Sequence, residues 1–299
     1  MPVIISIIIP TFNRSGVIGA AIESIRKQSF QEWECIIVDD NSTDDTNLVI
    51  HRVMREDSRF SYLLNTRKKG APGARNTGLL ASIGKYVVFF DSDNTMHPDF
   101  LSKLYSAILQ ENVDIGGCFS SVIDSERRQR TGAFHWVGYG KIHGRIMRGK
   151  SYFDNSSTVI KKEKLFDVGL LDEDCPSYQE WDTHIRLSRI SQYTTVEDEL
   201  IDYYRGGEDT ISKSLKRAVA GQTYILRKNK FEFQTRYPGA YLKFCFNLYC
   251  RVRMLPEGDD NVSSLIEYRS AVNGMVRILV RILYPFRRFL KSMKNNRSI

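Results

Sequence analysis

Two aspartates, Asp91 and Asp93, stand directly after an uninterrupted stretch of apolar and aromatic residues, Tyr86–Phe90. A strand without polar positions is one buried on both faces, as in the centre of a parallel sheet. Because residues i and i+2 of an extended chain point the same way, both carboxylates can lie on one side at the carboxyl end of that strand. Paired carboxylates there suit Mg²⁺ or Mn²⁺, which share their remaining positions with waters and substrate phosphates. The alternative is a structural turn, with Asp93 and Asn94 in an Asx-turn.

A second acidic pair, Asp39 and Asp40, follows another apolar stretch, Trp33–Val38. Strands that alternate with helices indicate βαβ units and a parallel sheet, which brings both acidic pairs to the same sheet edge. Arg75, in a helix predicted over 74–82, is presented between them. Two acidic pairs with an arginine indicate a nucleotide-diphosphate site with a bridging metal. The alternatives are helix capping for the two aspartates and a solvated helix position for Arg75.

The elements that must position these residues follow from the spacing of apolar residues and from the turn residues between them. Gly and Pro at 70–73, for example, predict a turn before the helix that carries Arg75. The sequence predicts strands over 3–9, 33–38, 60–64, 86–90, 113–123, 155–160 and 194–203, helices over 17–28, 46–55, 74–82, 97–111, 161–168 and from about 178 to 188, and a loop over 124–150.

The composition is that of an ordinary globular protein, since 42% of the 299 residues are hydrophobic and 26% are charged. Five cysteines without paired short spacing indicate neither a zinc site nor a disulfide framework, and favour a reducing compartment. The short apolar stretch Val3–Ile9 lacks a basic region and a cleavage site, so it predicts a first strand rather than a signal peptide. No run of about 18 uncharged apolar residues predicts a membrane span.

The net charge of +8 is unevenly distributed. Residues 215–299 carry 17 basic and 5 acidic side chains, whereas residues 1–214 carry 26 and 30. Within the basic part, 271–294 has apolar residues at three- and four-residue spacing with arginines and lysines largely on another face. Such an amphipathic basic helix is typical of one that lies in an anionic membrane interface. The alternative is a helix docked on the protein itself or on a second subunit. No nucleic-acid-binding module accompanies it, so nucleic acid is not an expected partner.

Three blocks in order resemble family 2 glycosyltransferases. They are Ile-Ile-Pro-Thr-Phe-Asn-Arg (8–14), Ile-Ile-Val-Asp-Asp-Asn-Ser-Thr-Asp-Asp-Thr (36–46) and Gly-Ala-Arg-Asn-Thr-Gly-Leu-Leu-Ala-Ser-Ile-Gly-Lys-Tyr-Val-Val-Phe-Phe-Asp-Ser-Asp (73–93). The resemblance covers about residues 3–100. It implies the GT-A fold, a Rossmann-like α/β fold with a mixed, mainly parallel central sheet and helices on both faces, here followed by a mainly helical C-terminal appendage.

The resemblance also implies roles for the residues of the donor site. Asp93, the last acid of the Asp-x-Asp motif, would bind Mn²⁺ or Mg²⁺ on the diphosphate, and Asp91 would lie near the ribose or the metal. The other residues implied for the donor are Pro10, Thr11, Phe12 and Arg14 at the base and ribose, Asp40 and Asp39 at the base, Arg75 at the diphosphate, and Ser92 beside the motif.

A catalytic base is expected near residue 180. The family usually shows Glu-Asp-Trp-Asp at the start of a helix, where this chain has Gln179-Glu180-Trp181-Asp182. Glu180 matches the position of the family's base, which removes the proton of the acceptor hydroxyl during inverting transfer. Asp182 is the second candidate base, and helix capping is the alternative for both acids. The stretch 209–212 resembles a loop that folds over the diphosphate in relatives, with Arg205 or Lys213 in place of the usual His.

The expected organisation is a GT-A domain over 1–214, with a nucleotide-binding half (1–100) and an acceptor-binding half (101–214), followed by a basic region over 215–299. The expected enzyme is a hexosyl- or N-acetylhexosaminyltransferase. Its implied donor is a uridine-based nucleotide-diphospho-sugar and its acceptor a lipid-linked or surface glycan, at the cytoplasmic face of the cell membrane. The alternative from another class is a catalytically inactive sugar-nucleotide-binding scaffold. Phe-Phe-Asp-Ser-Asp-Asn-Thr also fits haloacid-dehalogenase-type phosphatases, but they carry that motif in their first strand.

Overall fold

The computed structural model describes residues 2–150, 153–205 and 214–255, and six single positions between 268 and 280. The chain divides into two compact units. The first comprises Met1–Ile146, Lys150–Glu173 and Glu180–Asp209. The second comprises Met147–Gly149, Asp174–Gln179 and Thr210–Ile299.

The first unit is built on one mixed sheet with the strand order β3-β2-β1-β4-β8-β6-β9-β5, and β7 pairs with β6 outside this path. Strands β1 to β4 are parallel to one another and β6 is parallel to β9, whereas β8 is antiparallel to both β4 and β6. The strands are β1 Ile5–Thr11, β2 Trp33–Asp39, β3 Phe60–Leu64, β4 Tyr86–Phe89, β5 Thr95–Met96, β6 Ile115–Asp124, β7 Arg130–Phe134, β8 Thr158–Lys161 and β9 Tyr193–Arg205.

Helices cover both faces of this sheet. Residues of α1 and α4 pack with Ile5, Ile7 and Ile9 in one core cluster. On the other face α3 packs so closely that a Cβ at Gly78 would lie 2.5 Å from Ile8 Cγ2. This confirms the predicted GT-A architecture. The helices are α1 Ile18–Arg26, α2 Thr46–Glu56, α3 Ala71–Ala81, α4 Phe100–Glu111, α5 His143–Met147, α6 Lys162–Asp167, α7 Gln179–Leu187, α8 Leu215–Lys228, α9 Lys230–Arg236 and α10 Pro238–Val252.

Two of the predicted elements need correction. The region 124–150 is not only a loop, because it contains the edge strand β7 and the short helix α5. β7 has little apolar alternation and forms by pairing with β6, which local sequence does not indicate. The strand predicted over 155–160 begins later, since 155–157 form a 3₁₀ turn. Asp154 accepts a hydrogen bond from the Ser156 backbone N–H and so caps that turn.

Within the second unit, the described residues 214–255 are mainly helical, as predicted for the appendage. Helices α8, α9 and α10 bury a small core of their own, with Ile225, Phe233 and Leu248 inaccessible to solvent. The amphipathic pattern over 271–294 lies outside the described residues, apart from five single positions. Among the described helices, none has the length and apolar character that crossing a bilayer requires.

Candidate active site

Arg75 stands at the centre of the predicted site. Its Nη2 donates to Asp91 Oδ1 at 2.7 Å, and its side chain is only 5% exposed. Its Nε and Nη1 are buried and meet no hydrogen-bond partner among the described residues. A guanidinium carries five N–H donors in a planar fork that matches carboxylate and phosphate oxygens. Arg75 is therefore anchored through one nitrogen and retains donors for an anionic ligand.

The turn before α3 determines where Arg75 lies. Gly73 approaches the preceding loop so closely that a Cβ would lie 1.9 Å from the Lys68 carbonyl oxygen. Gly70 has a φ of 120°, a conformation that favours glycine, and its N–H donates to Asp40 Oδ2 at 2.8 Å. Pro72 occupies the first turn of the helix, where its missing N–H costs nothing. These local requirements hold Arg75 at the sheet edge.

Asp91 and Asp93 lie beside Arg75 at the carboxyl end of β4. Burial, together with the neighbouring Asp91 carboxylate, raises the pKa of Asp93 above its usual value, and Arg14 and Arg75 partly oppose this shift. The negative charge on Asp93 is therefore disfavoured chiefly by burial and further by the like charge of Asp91. Ser92 between them is buried. The structure thus brings together the Asp-x-Asp pair and the two arginines that the sequence placed in the donor site.

Glu180 reaches the same cluster from the start of α7. Its Oε1 accepts a hydrogen bond from Asn155 Nδ2 at 3.2 Å. Burial raises the pKa of Glu180, Arg75 lowers it in part, and Asp91 raises it further. A carboxylate whose proton affinity is raised in this way is suited to act as a general base.

Asp154 is an acid of this cluster that the sequence analysis missed. Burial, followed by the charges of Asp91 and Glu180, raises its pKa to about 7. It precedes β8, which is antiparallel to β4, so the amino end of β8 lies beside the carboxyl end of β4. The Asp91 N–H accordingly donates to Ser156 Oγ at 3.1 Å. In the local sequence Asp154 is followed by Asn155 and Ser156, a pattern that indicates a turn and not an acid of an active site.

Asp182, the second candidate base, has a different environment. It is buried, and its Oδ2 accepts from Arg186 Nε at 2.9 Å one turn later in α7. Arg186 Nη1 also donates to the backbone oxygens of Val168 at 2.7 Å and Leu170 at 2.6 Å. The ion pair therefore ties α7 to the segment after α6. Asp182 is suited to holding the helix in place rather than to exchanging protons with a substrate.

The carboxylates of Asp39 and Asp40 both hold loops. Asp39 Oδ1 accepts from the Ser42 N–H and hydroxyl at 2.9 and 2.6 Å, and Oδ2 accepts from Tyr62 Oη at 2.9 Å. Asp40 Oδ1 accepts from Asn65 Nδ2 at 2.6 Å. Neither carboxylate caps α2, where Asp44 accepts from the Thr46 N–H, but Asp40 Oδ2 also accepts from the N–H of Gly70, the residue that precedes α3. Both carboxylates lie at the end of β2, where a base contact is predicted.

The turn after β1 lies beside Asp39 and Asp40. Pro10 and Thr11 continue β1 beside β2, and the buried Thr11 hydroxyl meets no partner among the described residues. The Phe12 ring is 42% exposed, with Lys69 Nζ 5.0 Å from its centroid. The Arg14 N–H donates to Thr46 Oγ1 at 2.8 Å and so joins the turn to α2. An exposed ring, a free hydroxyl and two cations are groups that a nucleotide can contact.

The cluster fits a divalent cation only if a ligand supplies part of its coordination. Among the described residues, no group of three or more His, Cys, Asp or Glu side chains is arranged to hold a metal alone. Asp91 and Asp93 provide two carboxylates, and a cation would offset the burial and the like charge that disfavour the ionised form of Asp93. Mg²⁺ and Mn²⁺ commonly bind through one or two carboxylates and substrate phosphates. The oxygen donors present fit that mode.

Two curated relatives resemble the chain over about a third of its length. A GalNAc(5)-diNAcBac-PP-undecaprenol beta-1,3-glucosyltransferase of Campylobacter jejuni is 42% identical over 101 residues, or 33% of this chain and 33% of the relative. The Escherichia coli protein WfgD, a UDP-Glc:alpha-D-GlcNAc-diphosphoundecaprenol beta-1,3-glucosyltransferase, is 37% identical over 110 residues, or 37% of this chain and 43% of the relative. The matched part thus spans less than half of either relative.

The structural comparison extends further along the chain. S. aureus TarS 1–349, solved in complex with UDP-GlcNAc, superposes with a TM-score of 0.70 at 17% identity, over 92% of this chain and 83% of TarS. At this identity the likeness establishes a shared fold. The model of the family described as Glycosyl transferase family 2 matches residues 6–173, more than half of the chain. The chain therefore belongs to glycosyl transferase family 2.

Proposed function

We propose that the protein is an inverting glycosyltransferase that moves a sugar from a UDP-sugar to a hydroxyl of a lipid-linked or surface glycan. The observation that carries the proposal is the convergence of Arg75, with two nitrogens that have no partner among the described residues, on the Asp91–Asp93 pair and Glu180 at one sheet edge. Family membership and the names of the relatives support it, since WfgD is named for UDP-Glc as donor.

The donor half of the site binds and orients the leaving group. The Phe12 turn and the loops held by Asp39 and Asp40 would enclose the nucleoside. Arg75 would donate to the diphosphate oxygens and stabilise their charge as the bond to the anomeric carbon breaks. Mn²⁺ or Mg²⁺, held by Asp93 with Asp91, would supply further positive charge there when bound.

The acceptor half supplies the base. Glu180 would accept the proton of the attacking hydroxyl while that oxygen bonds to the anomeric carbon, on the side opposite the departing diphosphate. Displacement from the opposite side inverts the anomeric configuration. Asn155, which donates to Glu180 Oε1, would hold the carboxylate in position for this transfer. Asp182 would act through its ion pair with Arg186, by fixing α7.

Nucleotide titration tests the donor assignment. We expect calorimetry with UDP, GDP, CDP and TDP to show tight binding of UDP alone, weakened at least about tenfold when Mn²⁺ is omitted or in Asp93→Asn, since the diphosphate and Asp93 would share the metal. Asp198→Asn, which removes an exposed ion pair with Lys103, is the matched control and should bind as wild type does. Failure of every nucleotide to bind would refute the donor site.

We propose further that the enzyme acts from the inner face of the cell membrane, through its basic region. The excess of basic residues over 215–299 and the undecaprenol-linked acceptors for which the relatives are named support this. Deleting 271–299 should abolish co-flotation with vesicles that contain phosphatidylglycerol, while neutral phosphatidylcholine vesicles serve as the control. Equal flotation of the truncated and full-length chains would rule out this membrane contact.

A further inference from the structure

A row of aromatic side chains crosses the strands β7, β6 and β9 of the first unit. The rings of Phe134 and Trp136 stack at 5.7 Å with an interplanar angle of 21°. Phe134 meets Tyr203 edge to face at 5.8 Å. The Arg205 guanidinium carbon lies 4.9 Å from the Phe134 ring centroid. We refer to these four side chains, Phe134, Trp136, Tyr203 and Arg205, as the aromatic platform.

Strand register places one end of the platform beside the acidic cluster. Thr95 pairs with Asp202 in the antiparallel β5–β9 ladder, so Tyr203 lies opposite the residue that follows Asp93. Burial, together with the charges of Asp154, Asp91 and Asp93, raises the pKa of Tyr203, which requires these carboxylates to be near. The platform therefore leads from the acidic cluster toward the edge strand β7.

The side chains of the platform are not core residues. Phe134, Trp136 and Tyr203 are each partly exposed and Arg205 is exposed, whereas core aromatics such as Phe89 are inaccessible. A contiguous patch of partly exposed aromatic rings is typical of an interaction site, and the Arg205 guanidinium adds a cation–π contact with the Phe134 ring. The row thus has the composition of a binding surface.

The platform carries polar groups of its own, the Tyr203 hydroxyl and the exposed Arg205 guanidinium. A lipid tail would cover these groups without offering them a hydrogen-bond partner. A pyranose ring presents an apolar C–H face to an aromatic ring and hydroxyls to polar groups beside it. Aromatic rings with polar groups among them therefore favour a sugar over a hydrocarbon chain.

We infer that the aromatic platform binds a pyranose ring of the acceptor, stacked on Trp136 and Phe134, with Arg205 donating to its hydroxyls. The inference rests on the proposed function, because it orients the acceptor toward Glu180. It assigns acceptor recognition to the hairpin β6–β7 and the end of β9.

Saturation-transfer NMR on the full chain, loaded with UDP and the diamagnetic ion Mg²⁺, tests the inference with methyl pyranosides of glucose, N-acetylglucosamine, galactose and N-acetylgalactosamine. At least one glycoside should show saturation, strongest on the protons of one ring face, as stacking requires. Trp136→Ala and Phe134→Ala should each weaken that binding at least tenfold. Phe231→Ala, which removes a ring 81% exposed on α9, is the matched control and should bind as wild type does.

Calorimetry with UDP on the same samples separates this inference from the donor assignment. Retained UDP binding shows that each variant is folded and that the donor site is intact. If UDP binds while no glycoside is saturated, or while both platform variants bind the glycoside as wild type does, the platform is not the acceptor site and the donor assignment stands. If UDP itself does not bind to wild type, both the proposed function and this inference are refuted.

Discussion

Glu180→Gln should lower the turnover number about 10³-fold, within the range of a lost general base, while UDP binds as tightly as before. The amide keeps the shape and the hydrogen bond to Asn155 but cannot accept the proton. The pKa of Glu180 is raised by burial, so wild-type turnover should decline as the pH falls through that pKa and the base becomes protonated. Steady-state kinetics from pH 5 to 8, with transfer followed as release of UDP, would measure both effects.

Asp154→Asn is the decisive comparison for this prediction. Asp154 lies in the same cluster with a pKa of about 7 and is the other acid that could take the proton. If Asp154→Asn lost the larger share of turnover and Glu180→Gln retained most of it, the base would have been misassigned. Asp182→Asn should act through stability, with a lower midpoint of urea unfolding, because Arg186 loses its buried partner.

Arg75→Met should lower kcat/KM for the UDP-sugar about 10²- to 10³-fold, the effect of removing one preorganised donor from a developing charge. The variant keeps most of the side-chain volume but loses the donors that Arg75 retains for the diphosphate. It also leaves the Asp91 carboxylate, 28% exposed, without its ion-pair partner. We therefore expect a loss of roughly 1–3 kcal/mol in the free energy of unfolding, measured with urea.

Two further variants show whether the loss in Arg75→Met comes from diphosphate binding or from general disruption of the loop. Arg75→Lys keeps the charge but loses the planar fork, so an intermediate kcat/KM is expected. Arg67→Met is the matched control, because Arg67 lies in the neighbouring loop and forms an ion pair with Glu173. Its kcat/KM should stay within about threefold of wild type. Equal losses in Arg75→Met and Arg67→Met would mean that general disruption of the loop, and not diphosphate binding, explains the effect.

Local sequence determined the amino-terminal part of the fold, over residues 1–100. The strands β1, β2 and β4 are apolar enough to be buried on both faces, and that pattern is readable without a structure. The position of Arg75 near the start of α3 also follows from local requirements, since Gly70 and Gly73 meet backbone constraints within a few residues. Acids that follow a buried strand must lie at its carboxyl end. The position predicted for Asp91 and Asp93, after β4, therefore agrees with the observed one.

Tertiary structure decided which further groups reach that edge. Asp154 joins the cluster because β8 runs antiparallel to β4, and strand direction is not encoded in the local pattern of apolar residues. Asp182 forms an ion pair with Arg186, which is then fixed to two distant carbonyl groups. The edge strand β7, which carries Phe134, forms only through pairing with β6. These features depend on neighbours far apart in the chain, so burial, strand direction and charge environment became visible only in the folded protein.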